Sequence, residues 1–404
     1  MARLPGVEPP DRLVCHVDMD CFYAACERLR EPDLEGEPVV VGMGYEPGTD
    51  HGAVATASYE AREHGIESAM AVSEALERLP RRETAEGRAD TAVYRPVDME
   101  FYESVSETVR DALEDVPGTV RNVSIDEAYL DPDGVSWDDA ATFGRSLKRD
   151  IESAAGVEAS VGIAPDMTTA KLASDAEKPD GLVVVTPEAV RSFLAPMAVE
   201  SLHGVGPVTA RELGEMGFET AGDIAAADAS TLVAAFGERG RDLHAQARGE
   251  DGRPVEPKGR PKSLSSESAF VEATAKRRRK RETVRALAMD VAERASTEDV
   301  LYKTIGIKIV RPPFDVHTRS RSLPGPIEDP ELIESIALDL LGEFEGKRVR
   351  KLGVRVSNLS FDERKQATIG EWGDGADGTD ASESSACGSG EARALGQVTL
   401  SRFE

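Results

Sequence analysis

The chain has 404 residues, with 75 Asp and Glu against 48 Lys and Arg, a formal net charge of −27, 40% hydrophobic residues and 30% charged ones. That length and apolar content suit several folded domains and exclude a wholly disordered chain; no run approaches the ~20 uncharged apolar residues of a membrane span or the apolar core of a signal peptide, so a soluble, cytoplasmic protein without membrane contact is expected. Cys15, Cys21, Cys26 and Cys387 form no Cys-x-x-Cys pair, which argues against a disulfide framework and a zinc site.

Only 12 of the 48 basic residues are lysines. So acidic a surface opposes loose binding to phosphate backbones in ordinary salt; in a cytoplasm of very high salt, where the Debye length shrinks to ~3 Å at 1 M, that objection weakens. The charge distribution favours the high-salt reading. Residues 252–281 hold ten basic residues against Glu256, Glu267 and Glu272, a basic island on an acidic protein.

Leu13 to Val17 reads as a buried strand, with Asp18-Met19-Asp20 at its end. Asp20 is expected to cap the next helix, whose apolar face would carry Phe22, Ala25, Cys26 and Leu29. Strands at 38–42 and 52–56 alternate with polar helical stretches to about residue 90. Residues 91–165 then give a helix (99–113), a strand (120–125), a turn at Asp126-Glu127, a strand (128–130), a helix (137–155) and a strand (159–163), which with the first strand makes a βαββαβ-like split sheet. Beyond 166 come short helices flanking Gly204-Val205-Gly206. Residues 249–263 read as a Pro/Gly linker, and 264–361 as a second sheet-and-helix module with strands near 301–310 and 351–359 and helices near 277–296 and 329–344. Residues 371–391, with six acids and no basic residue, read as a disordered tether.

Asp18, Asp126 and Glu127 all fall at strand ends that a split sheet brings to one edge. Three carboxylates that close repel unless a cation lies between them, and hard oxygen ligands suit Mg²⁺. The spacing alone leaves open a plainer reading, two acidic turns on an acidic protein.

Three blocks carry a resemblance: Asp18-Met19-Asp20-Cys21-Phe22-Tyr23-Ala24-Ala25, Ala55-Thr56-Ala57-Ser58-Tyr59-Glu60-Ala61-Arg62 and Ser124-Ile125-Asp126-Glu127-Ala128-Tyr129-Leu130-Asp131. They resemble the signature motifs of the Y-family DNA polymerases, in the DinB-like branch. Val161 to Ala164, Lys171 to Ser174 and Lys178 to Gly181 match the following block in order, so that the similarity runs from about 13 to 361.

The resemblance implies an α+β, multidomain right-hand polymerase: a ferredoxin-like palm (1–29 and 91–165), small fingers (30–90), a helical thumb with a helix-hairpin-helix (166–248), the linker, and an α/β little finger that grips DNA (264–361). It implies a template-directed DNA polymerase of the translesion type, tolerant of lesions and low in fidelity. Asp18, Asp126 and Glu127, with the Met19 carbonyl, would hold two Mg²⁺ ions, with Mn²⁺ as the alternative. Tyr59, Arg62 and Lys178 would hold the triphosphate of an incoming dNTP, and Tyr23 would act as a steric gate against ribose. Gly204 and Gly206 would meet a phosphate at the thumb hairpin. The 276–281 run, Arg319, Arg321, Arg350 and Lys351 would grip the backbone of the primer-template without reading bases.

Gln397 to Glu404 closes the chain after the tether. It resembles the sliding-clamp motif Gln-x-x-Leu-x-x-aromatic-aromatic, with Gln397, Leu400 and Phe403 in place and Glu404 where the second aromatic would stand. A monomer is expected. Two other classes compete: a palm-type nucleotidyl cyclase, which needs neither thumb hairpin nor clamp peptide, and a noncatalytic clamp scaffold, which needs no carboxylates.

Overall fold

The computed structural model describes residues 12–85 and 90–361. The chain divides into two compact units that part at Lys258 and Gly259.

In the first unit, β1 (Val14–Met19) is buried along nearly its whole length, His16 included, as a strand flanked on both sides within its sheet is. α1 (Phe22–Arg30) follows, and here the capping expectation fails. The N-cap is Cys21, in left-handed backbone at φ 39° with no side-chain cap, because Asp20 turns inward. The buried face is Phe22, Tyr23, Ala24, Cys26 and Glu27, while Leu29 is exposed. β2 (Val39–Met43), β3 (Ala53–Ala57), α2 (Tyr59–Glu63), α3 (Val72–Arg78) and β4 (Val93–Pro96) come next. Their sheet runs β3-β2-β4, with β4 parallel to β2. Ser58 caps α2 by accepting from Ala61 N.

α4 (Met99–Glu114) starts at Asp98, whose carboxylate accepts from Phe101 N, and buries Tyr102, Val105, Val109 and Leu113 at helical spacing. β5 (Gly118–Asn122), β6 (Glu127–Pro132), α5 (Ala140–Ala155), β7 (Ala159–Ala164), α6 (Met167–Ala176) and β8 (Leu182–Val184) complete a five-stranded sheet ordered β5-β6-β1-β7-β8. β5 stops short of Ile125 because Val123 N and Ser124 N both donate to Glu127 O, closing a turn. α6 lies directly on β7: a Cβ at Gly162 would stand 2.1 Å from Ala170 O and 2.3 Å from Ser174 N. That close approach requires glycine.

α7 (Val190–Leu194), α8 (Pro207–Glu215), α9 (Ala221–Ala226), α10 (Ala229–Phe236) and α11 (Glu238–Ala247) follow, the last four around a small core that includes Leu202, Leu213, Ile224, Leu232 and Leu243. The segment read as a linker starts fixed. Asp251 accepts from Thr168 N and Oγ1 and from Arg253, and Val255 is buried.

The second unit holds β9 (Ser263–Thr274), α12 (Arg277–Thr297), β10 (Leu301–Arg311), β11 (Asp315–Ile327), α13 (Pro330–Leu341) and β12 (Val349–Ser360). The antiparallel sheet runs β11-β10-β12-β9. One face packs Ile305, Ile307, Ile309, Leu352, Val354 and Val356 into a core with Val284, Val291, Ile333 and Leu341 of the two helices. At ~1.5–3 kcal/mol per fully buried aliphatic side chain, that core is the unit's main source of stability.

Candidate active site

β1 lies between β6 and β7, so the end of β1 meets the start of β6. Asp18 is the register partner of Glu127 on one side and of Ser160 on the other, and Met19 N donates to Asp126 O at 2.9 Å. The turn carrying Asp126 is pinned from behind by Ser106 Oγ, which donates to Ile125 O. Ser124 Oγ donates to Asp126 Oδ1. The three carboxylates foreseen from the sequence therefore come from adjacent strand ends.

Their electrostatics differ. Burial pushes the Asp126 carboxyl up to about 6, with Asp18 and Glu127 adding to the rise. Burial also raises Asp18, against the pull of Lys178 and Lys171. Glu127 goes the other way: although burial alone would raise it, His16 and Lys171 hold it down to about 2. Among the described residues no three His, Cys, Asp or Glu side chains already converge as a metal site. Two ammonium groups stand among the carboxylates instead. Lys178 Nζ is 2.7 Å from Asp18 Oδ1 and 2.9 Å from Asp175 Oδ1, and Lys171 Nζ is 2.7 Å from Glu127 Oε2 and 4.0 Å from Asp18 Oδ2. An all-oxygen donor set whose burial penalises its negative charge fits a divalent cation, which would offset that penalty.

Asp20 is the residue the capping argument misread. Fully enclosed, it accepts from Tyr59 Oη at 2.8 Å, from Ser160 Oγ and from Asp180 N at 2.8 Å. One carboxylate thus fixes α2, β7 and the loop bearing Lys178. Burial, and then Asp20, raise the Tyr59 phenol. Arg62 projects from α2 into solvent, its Nε donating to Ala57 O and its guanidinium 4.8 Å from the Tyr59 ring centroid. The Tyr23 ring stacks on Tyr102 at 4.6 Å and 16°, and Tyr102 Oη donates to Glu27. Burial and the nearby Asp126 raise the Tyr23 phenol. His16, Lys171 and Ser174 were not foreseen in their roles: His16 Nδ1 is 2.8 Å from Ser174 Oγ, and its Nε2 is 3.4 Å from Glu127 Oε2. A histidine inside an apolar strand was the available signal.

Gly204 sits at φ 83° and Gly206 precedes α8, with open space where a Cβ would stand at either. In the second unit, Arg319 pairs with Glu343 at 2.6 Å, Arg321 with Asp339 and Lys351 with Glu267, while Arg350 lies over Phe314. The 276–281 run departs from expectation. Lys280 is completely buried and donates to the carbonyls of Phe344, Glu345 and Lys347, and Arg277 and Arg281 pair with Glu345, so the run is partly consumed in holding α12 to the connection between α13 and β12. Gln397, Leu400 and Phe403 lie outside the described residues.

The profile of the impB/mucB/samB family matches residues 17–175, and that of its C-terminal domain matches 261–369. The chain is 62% identical over 380 residues to a DNA polymerase IV of Halobacterium salinarum, covering 92% of each, and 40% identical over 363 residues to one of Methanoculleus marisnigri, covering 89% of this chain and 98% of that one. Among solved structures it resembles a Y-family DNA polymerase chimera built on Dbh, at TM-score 0.76 and 27% identity over 87% of this chain and all of that one. It also resembles DinB from Sulfolobus solfataricus, at TM-score 0.57 and 26% identity over 86% and 99%. The chain belongs to the Y-family of DNA-directed DNA polymerases, in the DNA polymerase IV or DinB-like branch. The sheet that presents the carboxylates corresponds to the palm of that fold, and the second unit to its little finger. Among the described residues no helix is long and apolar enough to cross a membrane.

Proposed function

We propose that the chain adds deoxynucleotides to a primer 3′ end under the direction of a template, with the low fidelity and lesion tolerance of translesion synthesis. The observation that carries this reading is the meeting of Asp18, Asp126 and Glu127 at one sheet edge beside Lys178, with Tyr59 and Arg62 brought to the same edge through Asp20. The three carboxylates and the Met19 carbonyl would hold two Mg²⁺ ions. When bound, such ions align the attacking hydroxyl with the leaving pyrophosphate and neutralise developing charge. Lys178, Arg62 and Tyr59 receive the triphosphate, which draws Lys178 away from Asp18 because a triphosphate is the stronger anionic partner. The Tyr23 ring blocks a 2′-hydroxyl.

The fingers span roughly 30–90, the thumb 166–248 and the little finger 264–361, with Gly204, Gly206, Arg350 and Lys351 on primer-template phosphates, and with Arg319 and Arg321, which alternate onto the helix side of β11 beside Glu343 and Asp339, reaching the backbone around that edge strand. The terminal peptide docks through Gln397, Leu400 and Phe403 on a sliding clamp, and the protein acts as a monomer between such contacts. Primer extension on damaged and undamaged templates across a potassium chloride series tests the reading. Extension past a lesion that persists in molar salt is expected; formation of a cyclic nucleotide with no extension would overturn it.

A further inference from the structure

The face of the β11-β10-β12-β9 sheet opposite the helices has a composition of its own. Alternation puts Thr318, Ser320 and Ser322 of β11, Thr304, Gly306 and Lys308 of β10, Lys351, Gly353, Arg355 and Ser357 of β12, and Ser263, Ser265 and Glu267 of β9 on it, in register across the four strands. Short hydroxyl side chains and glycines flatten most of the surface, Val310 and Val316 lie on it at the Lys351 end, and Lys308, Lys351 and Arg355 make it cationic. Glu267 is its acidic member. It lies across β12 at Gly353, where a Cβ would come within 2.8 Å of Glu267 Cγ, so the glycine keeps the lane open. From there one carboxylate oxygen reaches Lys308 Nζ at 2.8 Å and the other reaches Lys351 Nζ. The glutamate side chain is 17% exposed, whereas the lysines are 42% and 38% exposed. Burial would raise its carboxyl, but the two lysines hold it below the ordinary range.

We propose that Glu267 is an internal stand-in for a DNA phosphate, clasping Lys308 and Lys351 until the nucleic-acid backbone takes them over and thereby flattening the salt dependence of binding. The inference rests on the polymerase reading above. When phosphates displace Glu267, the two lysines replace counterions condensed on the DNA, which go into solution at about 0.9 per neutralised phosphate. The freed carboxylate then attracts a cation from solution, which cancels part of that release. The exchange loses less affinity as salt rises than two bare lysines would, which suits a protein whose net charge is −27.

The test is fluorescence anisotropy of a labelled primer-template against the full chain, from about 0.2 to about 2 M potassium chloride. Glu267→Gln should tighten binding several-fold at the low-salt end and steepen the slope of log Kd against log salt by about one. Glu272→Gln, an exposed acid on the same strand, controls for net charge and should change the slope by much less. Equal slopes and affinities for Glu267→Gln and the unmodified protein overturn the proposal. Lys308→Met with Lys351→Met then locates the failure: weakened binding means that the surface is right and the carboxylate idle, whereas unchanged binding means that the surface itself is misassigned. Primer extension by the unmodified protein in the same buffers reports on the polymerase reading separately.

Discussion

Asp18 and Glu127 face one another as register partners across β1 and β6, yet each is matched to its own ammonium, Lys178 for the first and Lys171 for the second. The pair is thus held together without mutual repulsion deciding its geometry. Replacing any of Asp18, Asp126 or Glu127 by Ala should reduce nucleotide addition by on the order of a thousandfold or more, since metal-assisted phosphoryl transfer draws several kcal/mol from such ligands. Single-turnover primer extension measures the loss, and circular dichroism should show the fold retained. Extension at the unmodified rate by all three variants would remove the site assignment.

Asp126 also gives a pH signature. Its carboxyl is raised on folding to about 6 from an ordinary 3.8. A group raised in this way adds stability that is complete below the unfolded value and is lost as pH climbs through the folded one. Chelator-treated protein should therefore melt at higher temperature as pH falls from about 7 to about 5, and Asp126→Asn should flatten that gain. Glu127, held near 2, opposes it only below its ordinary 4.5, whereas His16, which burial lowers, opposes it as pH falls through its ordinary 6.5, so the Asp126 contribution is the difference between the two proteins. Parallel melting profiles for the two proteins in EDTA would contradict the assignment.

Asp20→Ala leaves Tyr59 Oη, Ser160 Oγ and Asp180 N without their shared acceptor. Unsatisfied buried donors cost about 1–3 kcal/mol each and do not add simply, so a clear drop in melting temperature is expected. The loop bearing Lys178 and the start of α2 lose their common anchor, and KM for the incoming nucleotide should rise more than kcat falls. Unaltered KM in steady-state extension would show that Asp20 is only structural.

Much of this site was legible because its parts fall where apolar runs end: Asp18 closes β1, and the Asp126-Glu127 turn opens β6. Asp20 was not, because an aspartate just before an apolar helical face satisfies a local capping rule as well as it satisfies a buried hydrogen-bond hub. Nothing within a few residues distinguishes them; the partners are 39 and 140 positions away. The Lys171–Glu127 contact spans 44 residues and was equally invisible. β4 and β8, at four and three residues, are too short to show a period. Lys280 shows the converse error, since a basic run read as one phosphate-gripping stripe hides the member that α12 turns inward.

Tyr23→Ala should admit ribonucleotides, raising the ratio of ribonucleotide to deoxynucleotide incorporation at least tenfold, about the discrimination a steric pocket supplies. Tyr23→Phe keeps the ring and its stack on Tyr102 and should keep the exclusion. Single-turnover kcat/KM for matched nucleotide pairs decides the matter, and equal ratios in all three proteins would dismiss the gate.

Removing Gln397 to Glu404 should leave distributive extension of a short primer intact and abolish stimulation by a cognate sliding clamp, because a tethered peptide acts through effective concentration alone. Leu400→Ala with Phe403→Ala should reproduce the deletion in calorimetric titration with the clamp. Equal affinities for the double variant and the unmodified protein would make the terminal match accidental.

The contact between α6 and β7 at Gly162 has a consequence for genetics. Any side chain there meets the backbone at Ala170 and Ser174, so α6 must lift, carrying Lys171 from Glu127 and Ser174 from His16. A screen for inactive alleles should therefore recover substitutions at a buried glycine that touches neither nucleotide nor DNA, and their kinetic defects should resemble those of Lys171 variants more than those of an ordinary core mutation.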